Sequence, residues 1–376
     1  MNAPVLNPLL ELRKLGQSVW LDDIGRGMLD DGSLARLIRE DGLAGLTSNP
    51  SIFAHSIMTD ARYAGGIAQL LPRVTSALQL YEELALEDLK DAATLLRPLY
   101  DSSGGGDGFV SMEVSPHLAD DSAGTLAEAK RLWGRLALPN AFIKVPGTEA
   151  GLPVIRELIA AGVNVNVTLL FSPERYRAVA RAYMDGLAAR AARGAALGGV
   201  ASVASFFLSR IDTEVDRRLD ALAARGQPAA RSLRGKAAIA SACRAYEIYE
   251  ELTAQPPWQG LAAQGARPQR LLWASTSTKD PAYSPIKYVE ELVVPDTVNT
   301  MPLETLNAYR RLGHPELRLE RHIAAASDTR EGLERLDVDL EAIAQQLERE
   351  GVDKFIEPFD RLQQWLEGKR RAEPVA

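Results

Sequence analysis

The chain has 376 residues, 46% hydrophobic and 25% charged, with 43 Lys and Arg against 50 Asp and Glu for a net charge of −7. That composition suits a globular protein with ample core, and the acidic balance argues against nucleic acid as the main partner, leaving room only for a local basic patch that recognises phosphate. A lone Cys243 excludes a disulfide framework and a cysteine-based zinc site, and no apolar run approaches the roughly 18 residues of a membrane span.

From the N-terminus, Glu11, Arg13 and Lys14 precede any apolar run of signal-peptide length, so a cytoplasmic protein is expected. The first predicted strand, 18–22, runs through Val19-Trp20-Leu21 into two carboxylates, Asp22 and Asp23. The second, 44–49, sets Gly45, Thr47 and Asn49 on one face. Helical patterning over 61–98 leads to a Gly-rich stretch, 101–108, that reads as a mobile loop. Strand 108–114 has Ser111 and Glu113 opposite Val110, Met112 and Val114, and strand 141–145 carries Lys144 among Phe142, Ile143 and Val145.

In strand 163–170 the apolar residues are all odd-numbered, while Asn164, Asn166 and Thr168 share the other face. An antiparallel edge strand with one wet face would alternate in the same way. Ser172-Pro173-Glu174 then supplies a helix cap and first turn. Strand 200–205 ends at Ser205, with Phe207 and Arg210 just beyond it. Cys243 falls in a helical run within 228–254, where it reads as a small buried hydrophobe. A second loop that looks mobile, 255–269, precedes strand 270–275, after which come Ser275, Ser277 and Lys279. The last strand, 297–300, has the weakest pattern, and helices follow Met301.

Eight strands alternating with helices predict a (β/α)₈ TIM barrel, read as a single domain over 1–376 with helical insertions and a C-terminal helical extension. A doubly wound open sheet is the alternative. Strands covered by helices should be apolar on both faces. Here the polar residues collect toward the C-terminal ends of several strands, where barrels of this kind build their active sites. Five such coincidences point to one polar pocket.

Lys144 defines the chemistry that pocket permits. Burial disfavours an ammonium ion, and a neutral amine condenses with a carbonyl to give a Schiff base. A lysine paired with Glu113 or Asp22 for packing alone is the competing reading. Asp22 and Glu113 offer two carboxylates for acid–base work, and the Asn and Thr side chains suit a polyol. Arg210, with Ser275 and Lys279 after the next strand, resembles a barrel phosphate site, although each taken alone is an ordinary surface charge or hydroxyl. His55, His117, His314 and His322 have no metal-ligand spacing, so neither a metal nor another cofactor is expected, and His117 is read as lying outside the pocket.

Three segments, Thr47-Ser48-Asn49-Pro50-Ser51, Phe142-Ile143-Lys144-Val145-Pro146 and Asn164-Val165-Asn166-Val167-Thr168-Leu169-Leu170-Phe171-Ser172, resemble signature segments of the transaldolases, in particular the longer bacterial subgroup. The resemblance runs from near Ser18 to near Pro302. It implies Lys144 as the Schiff-base lysine, Asp22 as the carboxylate that takes the C4 hydroxyl proton, and Glu113 with Thr168 as holders of a catalytic water. It further implies that Asn49, Asn166 and Ser205 hold substrate hydroxyls, with Thr47 and Ser275 beside them, and that Arg210 holds phosphate. Relatives often carry a second arginine where this chain has Ser277, and Lys279 is the expected replacement cation. Asp23 stands where many relatives have an uncharged residue.

The resemblance thus implies a transferase of the pentose phosphate pathway acting on sugar phosphates. Homo-oligomerisation is possible, with no nucleic-acid or membrane partner. Two other readings stay open: a fructose-6-phosphate aldolase-type lyase that releases dihydroxyacetone, and a non-catalytic sugar-phosphate-binding protein. In lyase relatives the positions of Phe207 and Glu113 carry tyrosine and glutamine, so the pair in this chain implies transfer.

Overall fold

The computed structural model describes residues 7–372. Its strands are β1 (Gln17–Asp22), β2 (Gly45–Thr47), β3 (Val110–Glu113), β4 (Ala141–Pro146), β5 (Val165–Leu170), β6 (Ser202–Phe207), β7 (Arg270–Ala274) and β8 (Thr297–Met301). They form one parallel sheet in the order β2-β1-β8-β7-β6-β5-β4-β3, and an isolated parallel bridge from Gly45 to Phe109 joins its two edges. The result is a nearly closed (β/α)₈ barrel with helices outside, and every expected strand is present. β6 alone is displaced: it starts and ends two residues later than expected. Phe207 is therefore its last residue, and Arg210 lies in the first turn of the next helix, Ser209–Ala224.

Period-two alternation sorts the side chains. In β1, Trp20 and Asp22 face the lumen while Val19 and Leu21 pack outward. Trp20, Phe109 and Phe142 fill the lower lumen, the two phenylalanines stacked at 4.3 Å between ring centroids and the indole 6.3 and 6.1 Å from them. All three are almost fully buried, a gain of roughly 1.5–3 kcal/mol for a ring such as Phe. Below this floor Asp107 accepts from Ser18 Oγ (2.6 Å) and Trp20 Nε1 (3.1 Å), and Arg270 donates to the Thr297 carbonyl (2.6 Å).

The two stretches expected to be mobile loops are tied down here. Gly104 and Gly105 adopt positive φ, which turns their carbonyls outward, and the Arg267 guanidinium donates to both. The second stretch contains a helix, Pro256–Ala262, that buries Trp258 and Leu261. Composition marks the glycine stretch as flexible because the arginine that holds it lies 162 residues away in sequence.

The largest addition to the barrel is the helix Leu340–Ala372, here called the mouth helix. It packs against the Pro50–Thr59 and Ala77–Ser102 helices on one side and the Ser209–Ala224 helix on the other, touching β5 and the Pro116–Leu118 turn between them. It therefore crosses the C-terminal end of the barrel. Among the described residues no helix is long and apolar enough to cross a membrane.

Candidate active site

Lys144 sits in β4 directly beside Glu113 of β3 and Asn166 of β5. Only 4% exposed, it donates from Nζ to Glu113 Oε2 (3.2 Å) and to the Ser48 carbonyl (2.9 Å). Burial pushes the Glu113 carboxyl up to about 7, outweighing the pull of the Lys144 ammonium. A carboxylate poised there can take the ammonium proton and leave a neutral amine, which is the form that attacks a carbonyl.

Asp22 ends β1 beside Thr47 of β2. Thr47 Oγ1 donates to Asp22 Oδ1 (2.7 Å) and lies 2.7 Å from Thr300 Oγ1. A hydroxyl has one proton, so Thr300 must donate to Thr47, and the relay fixes the carboxylate. Burial raises the Asp22 carboxyl above its ordinary range, opposed by Lys144, the Thr47 hydroxyl, Arg210 and Lys279. Asp22 and these four residues, from five regions of the chain, thus share one electrostatic site. Asp23, one residue further on, is also raised by burial, against a hydrogen bond from the Ile24 backbone.

A chain of polar groups crosses the lumen above the aromatic floor. Ser205 Oγ donates to Asn166 Oδ1 (2.7 Å), and Asn166 Nδ2 donates to Ser111 Oγ (3.2 Å). Thr168 Oγ1 is buried with no hydrogen-bond partner among the described residues. Next to it Leu169 adopts a φ of 62°, and the pairing of β5 with β6 slips between Val167 and Leu170. One extra residue on β5 is a β-bulge, a device that re-aims side chains beside active sites. Asn164 belongs elsewhere: it precedes β5, and its amide staples the Pro139 and Ala141 carbonyls and the Ala201 N–H. Asn49 caps the Pro50–Thr59 helix, its Oδ1 accepting from the Ile52 N–H (3.0 Å), which leaves its amide N–H groups for other partners.

The cationic side is built by the ends of β6 and β7. Arg210 lies with its guanidinium 5.6 Å from the Phe207 ring centroid, and its Nη1 is buried without a hydrogen-bond partner among the described residues. Ser275, at a φ of 55°, pairs its hydroxyl with that of Ser209 (2.8 Å), the residue before Arg210. Lys279 donates to Ser277 Oγ (2.8 Å), so the expected replacement cation and the departed arginine position touch one another. Burial lowers the pKa of both Arg210 and Lys279, and for Lys279 the repulsion of Arg210 adds to it. Neither cation forms an ion pair among the described residues, and the two together favour an anion.

Sequence reasoning missed four contributors. Thr300 was within reach, as a polar residue at the C-terminal end of a recognised strand. Ser48 acts through its carbonyl, which any residue would supply. Phe355 and Gly351 come from the mouth helix, with Phe355 placing its ring centroid 5.6 Å from Lys144 Nζ, and no local pattern marks them. His117 is half-exposed, its Nε2 2.7 Å from Asp360 Oδ1 of the mouth helix.

The family model for transaldolase/fructose-6-phosphate aldolase matches residues 19–366. The chain is 44% identical over 376 residues to transaldolase 2 of Nostoc sp., an alignment covering 97% of this chain and 98% of the relative. It is 47% identical over 350 residues to the transaldolase of Thiobacillus denitrificans (93% and 97% covered), and 46% identical over 352 residues to that of Acidothermus cellulolyticus (93% of each). With a family match over nearly the whole barrel and its mouth helix, this chain belongs to the transaldolase/fructose-6-phosphate aldolase family.

Proposed function

We propose that this chain is a transaldolase of the pentose phosphate pathway, acting in the cytoplasm without a metal or other cofactor. It transfers a dihydroxyacetone unit from sedoheptulose 7-phosphate or fructose 6-phosphate to glyceraldehyde 3-phosphate or erythrose 4-phosphate. The observation that carries this reading is a buried Lys144 with Glu113 at 3.2 Å, in a pocket shared with Asp22. Near-full-length relatives that bear the transaldolase name support it.

Lys144 gives its proton to Glu113, and the neutral amine attacks C2 of the ketose. The carbinolamine loses water, assisted by Glu113 and Thr168, to leave an iminium. Asp22 then takes the C4 hydroxyl proton, the C3–C4 bond breaks, and its electron pair flows into the iminium to form an enamine. The aldose phosphate departs. An incoming aldehyde is attacked by the enamine carbon, Asp22 returns the proton to the new hydroxyl, and water frees the product ketose from Lys144. Asn49, Asn166 and Ser205 hold hydroxyls of the three-carbon unit, while Arg210, Lys279 and Ser275 hold phosphate. The iminium is the electron sink throughout.

Transfer and lysis separate by what happens without an acceptor. Exchange between fructose 6-phosphate and erythrose 4-phosphate should be rapid, with only slow release of free dihydroxyacetone when erythrose 4-phosphate is omitted. Comparable rates in the two assays would assign the lyase activity instead.

Arg210→Ala tests the phosphate site. Charge-assisted hydrogen bonds of this kind contribute roughly 1.5–3 kcal/mol, so kcat/KM for phosphorylated ketoses should fall about tenfold or more, with unphosphorylated fructose little affected. Equal loss on both sugars would make the arginine a support of the fold.

A further inference from the structure

We propose that Phe355 of the mouth helix is a specificity-determining residue, shielding the intermediate on Lys144 so that it waits for an aldehyde rather than being released by water. The inference rests on the transaldolase reading above and deepens it.

Gly351, Phe355 and Phe359 are spaced four residues apart, so they fall on one stripe of the helix, and contacts show that this stripe faces the barrel. A side chain at Gly351 would bring its Cβ within 2.9 Å of the Leu169 side chain and 3.7 Å of Arg210 Nη1, so glycine is what lets the helix lie down beside the cationic side of the pocket. One turn on, the Phe355 ring faces Lys144 Nζ and is itself 5% exposed. A turn further, Phe359 packs edge-on against Tyr81, at 5.7 Å and 88°.

Contacts along the helix hold this placement. Ser172 Oγ donates to Glu341 Oε2 (2.5 Å), Arg218 to Gln346 (2.8 Å), and His117 pairs with Asp360 (2.7 Å). Phe355 therefore presents an apolar ring to Lys144 Nζ from a helix pinned on both sides of it. The ring belongs to the buried apolar cluster and at the same time faces Lys144 Nζ, the atom that would carry the intermediate.

Release of dihydroxyacetone consumes water. A proton must reach the enamine carbon, regenerating the iminium. Water then adds at C2, the C2–Nζ bond breaks, and the ketone leaves as the proton returns to solvent and the amine is restored. An apolar cover over Nζ supplies no proton and limits the water available for both steps. Transfer needs only the aldehyde and Asp22 until the final hydrolysis, so thinning the cover should change the partition more than the total rate.

The test compares wild type with Phe355→Ala, Phe355→Leu and Phe355→Tyr. Three quantities are measured on each: borohydride trapping of the three-carbon adduct on Lys144, transfer from fructose 6-phosphate to erythrose 4-phosphate, and dihydroxyacetone release without acceptor. Phe355→Ala should still form the adduct while its ratio of release to transfer rises about tenfold or more. Phe355→Leu, which restores apolar bulk, should return the ratio to near wild type, and Phe355→Tyr, which brings a hydroxyl, should raise it. An unchanged ratio in the alanine and tyrosine variants, with the adduct intact, would make Phe355 a packing residue and overturn the proposal. Should the alanine variant fail to fold, equal ratios for leucine and tyrosine overturn it on their own. Failure of the wild type to form any adduct on Lys144 would overturn the transaldolase reading itself, and this proposal with it.

Discussion

Borohydride added to the protein and fructose 6-phosphate should leave a three-carbon adduct on Lys144 alone, and Lys144→Ala should lose both the adduct and exchange, with activity falling by at least about 10⁴-fold, as when other catalytic nucleophiles are removed. The size of the effect follows from the pocket. Lys144 is the amine placed between Glu113 and the Ser48 carbonyl, and Lys279, the other lysine in the same electrostatic site, is engaged with Ser277 on the cationic side. The smaller side chain should be accommodated, because removing the buried ammonium also removes its desolvation cost. Peptide mass mapping of the reduced complex checks the site of labelling, and circular dichroism checks the fold. Label on another lysine, or none in the wild type, would sink the Schiff-base mechanism.

Asp22→Asn should divide the reaction at a different step. The amide keeps the size of the carboxylate and can still accept from Thr47, but it cannot take the C4 proton. Cleavage and exchange should drop about 10²–10⁴-fold, the usual contribution of a positioned acid–base group. Borohydride trapping of the intact six-carbon ketose on Lys144 should persist and even accumulate, because the amine and Glu113 are untouched. Mass spectrometry separates the six-carbon adduct from the three-carbon one. A variant that forms no adduct would place Asp22 in Schiff-base formation and not in bond cleavage.

Much of this site was legible because a buried parallel strand has no reason to carry polar side chains unless they line something. Asn166, Thr168, Glu113 and Lys144 each broke an apolar pattern, and all four meet at the barrel's C-terminal end. The same logic overreached at Asn164, which shares the parity of Asn166 but staples the strand's start. The expected strand 200–205 also stops two residues short of the observed end of β6 at Phe207. The remaining gaps are long-range. Arg267 holds the glycine loop, Thr300 orients Thr47, and Phe355 faces Lys144 across the mouth; such contacts leave no trace in the spacing of neighbouring residues.

The pairing of β1 with β8 governs how the chain can be made. Gln17 hydrogen-bonds to Thr297, 280 residues later. During synthesis β1 therefore has one edge without its final partner until nearly the whole barrel has emerged. Such non-local closure slows folding, and an open strand edge invites aggregation in the meantime. The mouth helix follows β8 in the chain, so the ribosome delivers the complete barrel before the segment bearing Phe355. A nascent chain halted between the two would hold Lys144, Glu113 and Asp22 in a pocket still open to water. On this ordering the amine is assembled first and the shield is fitted last.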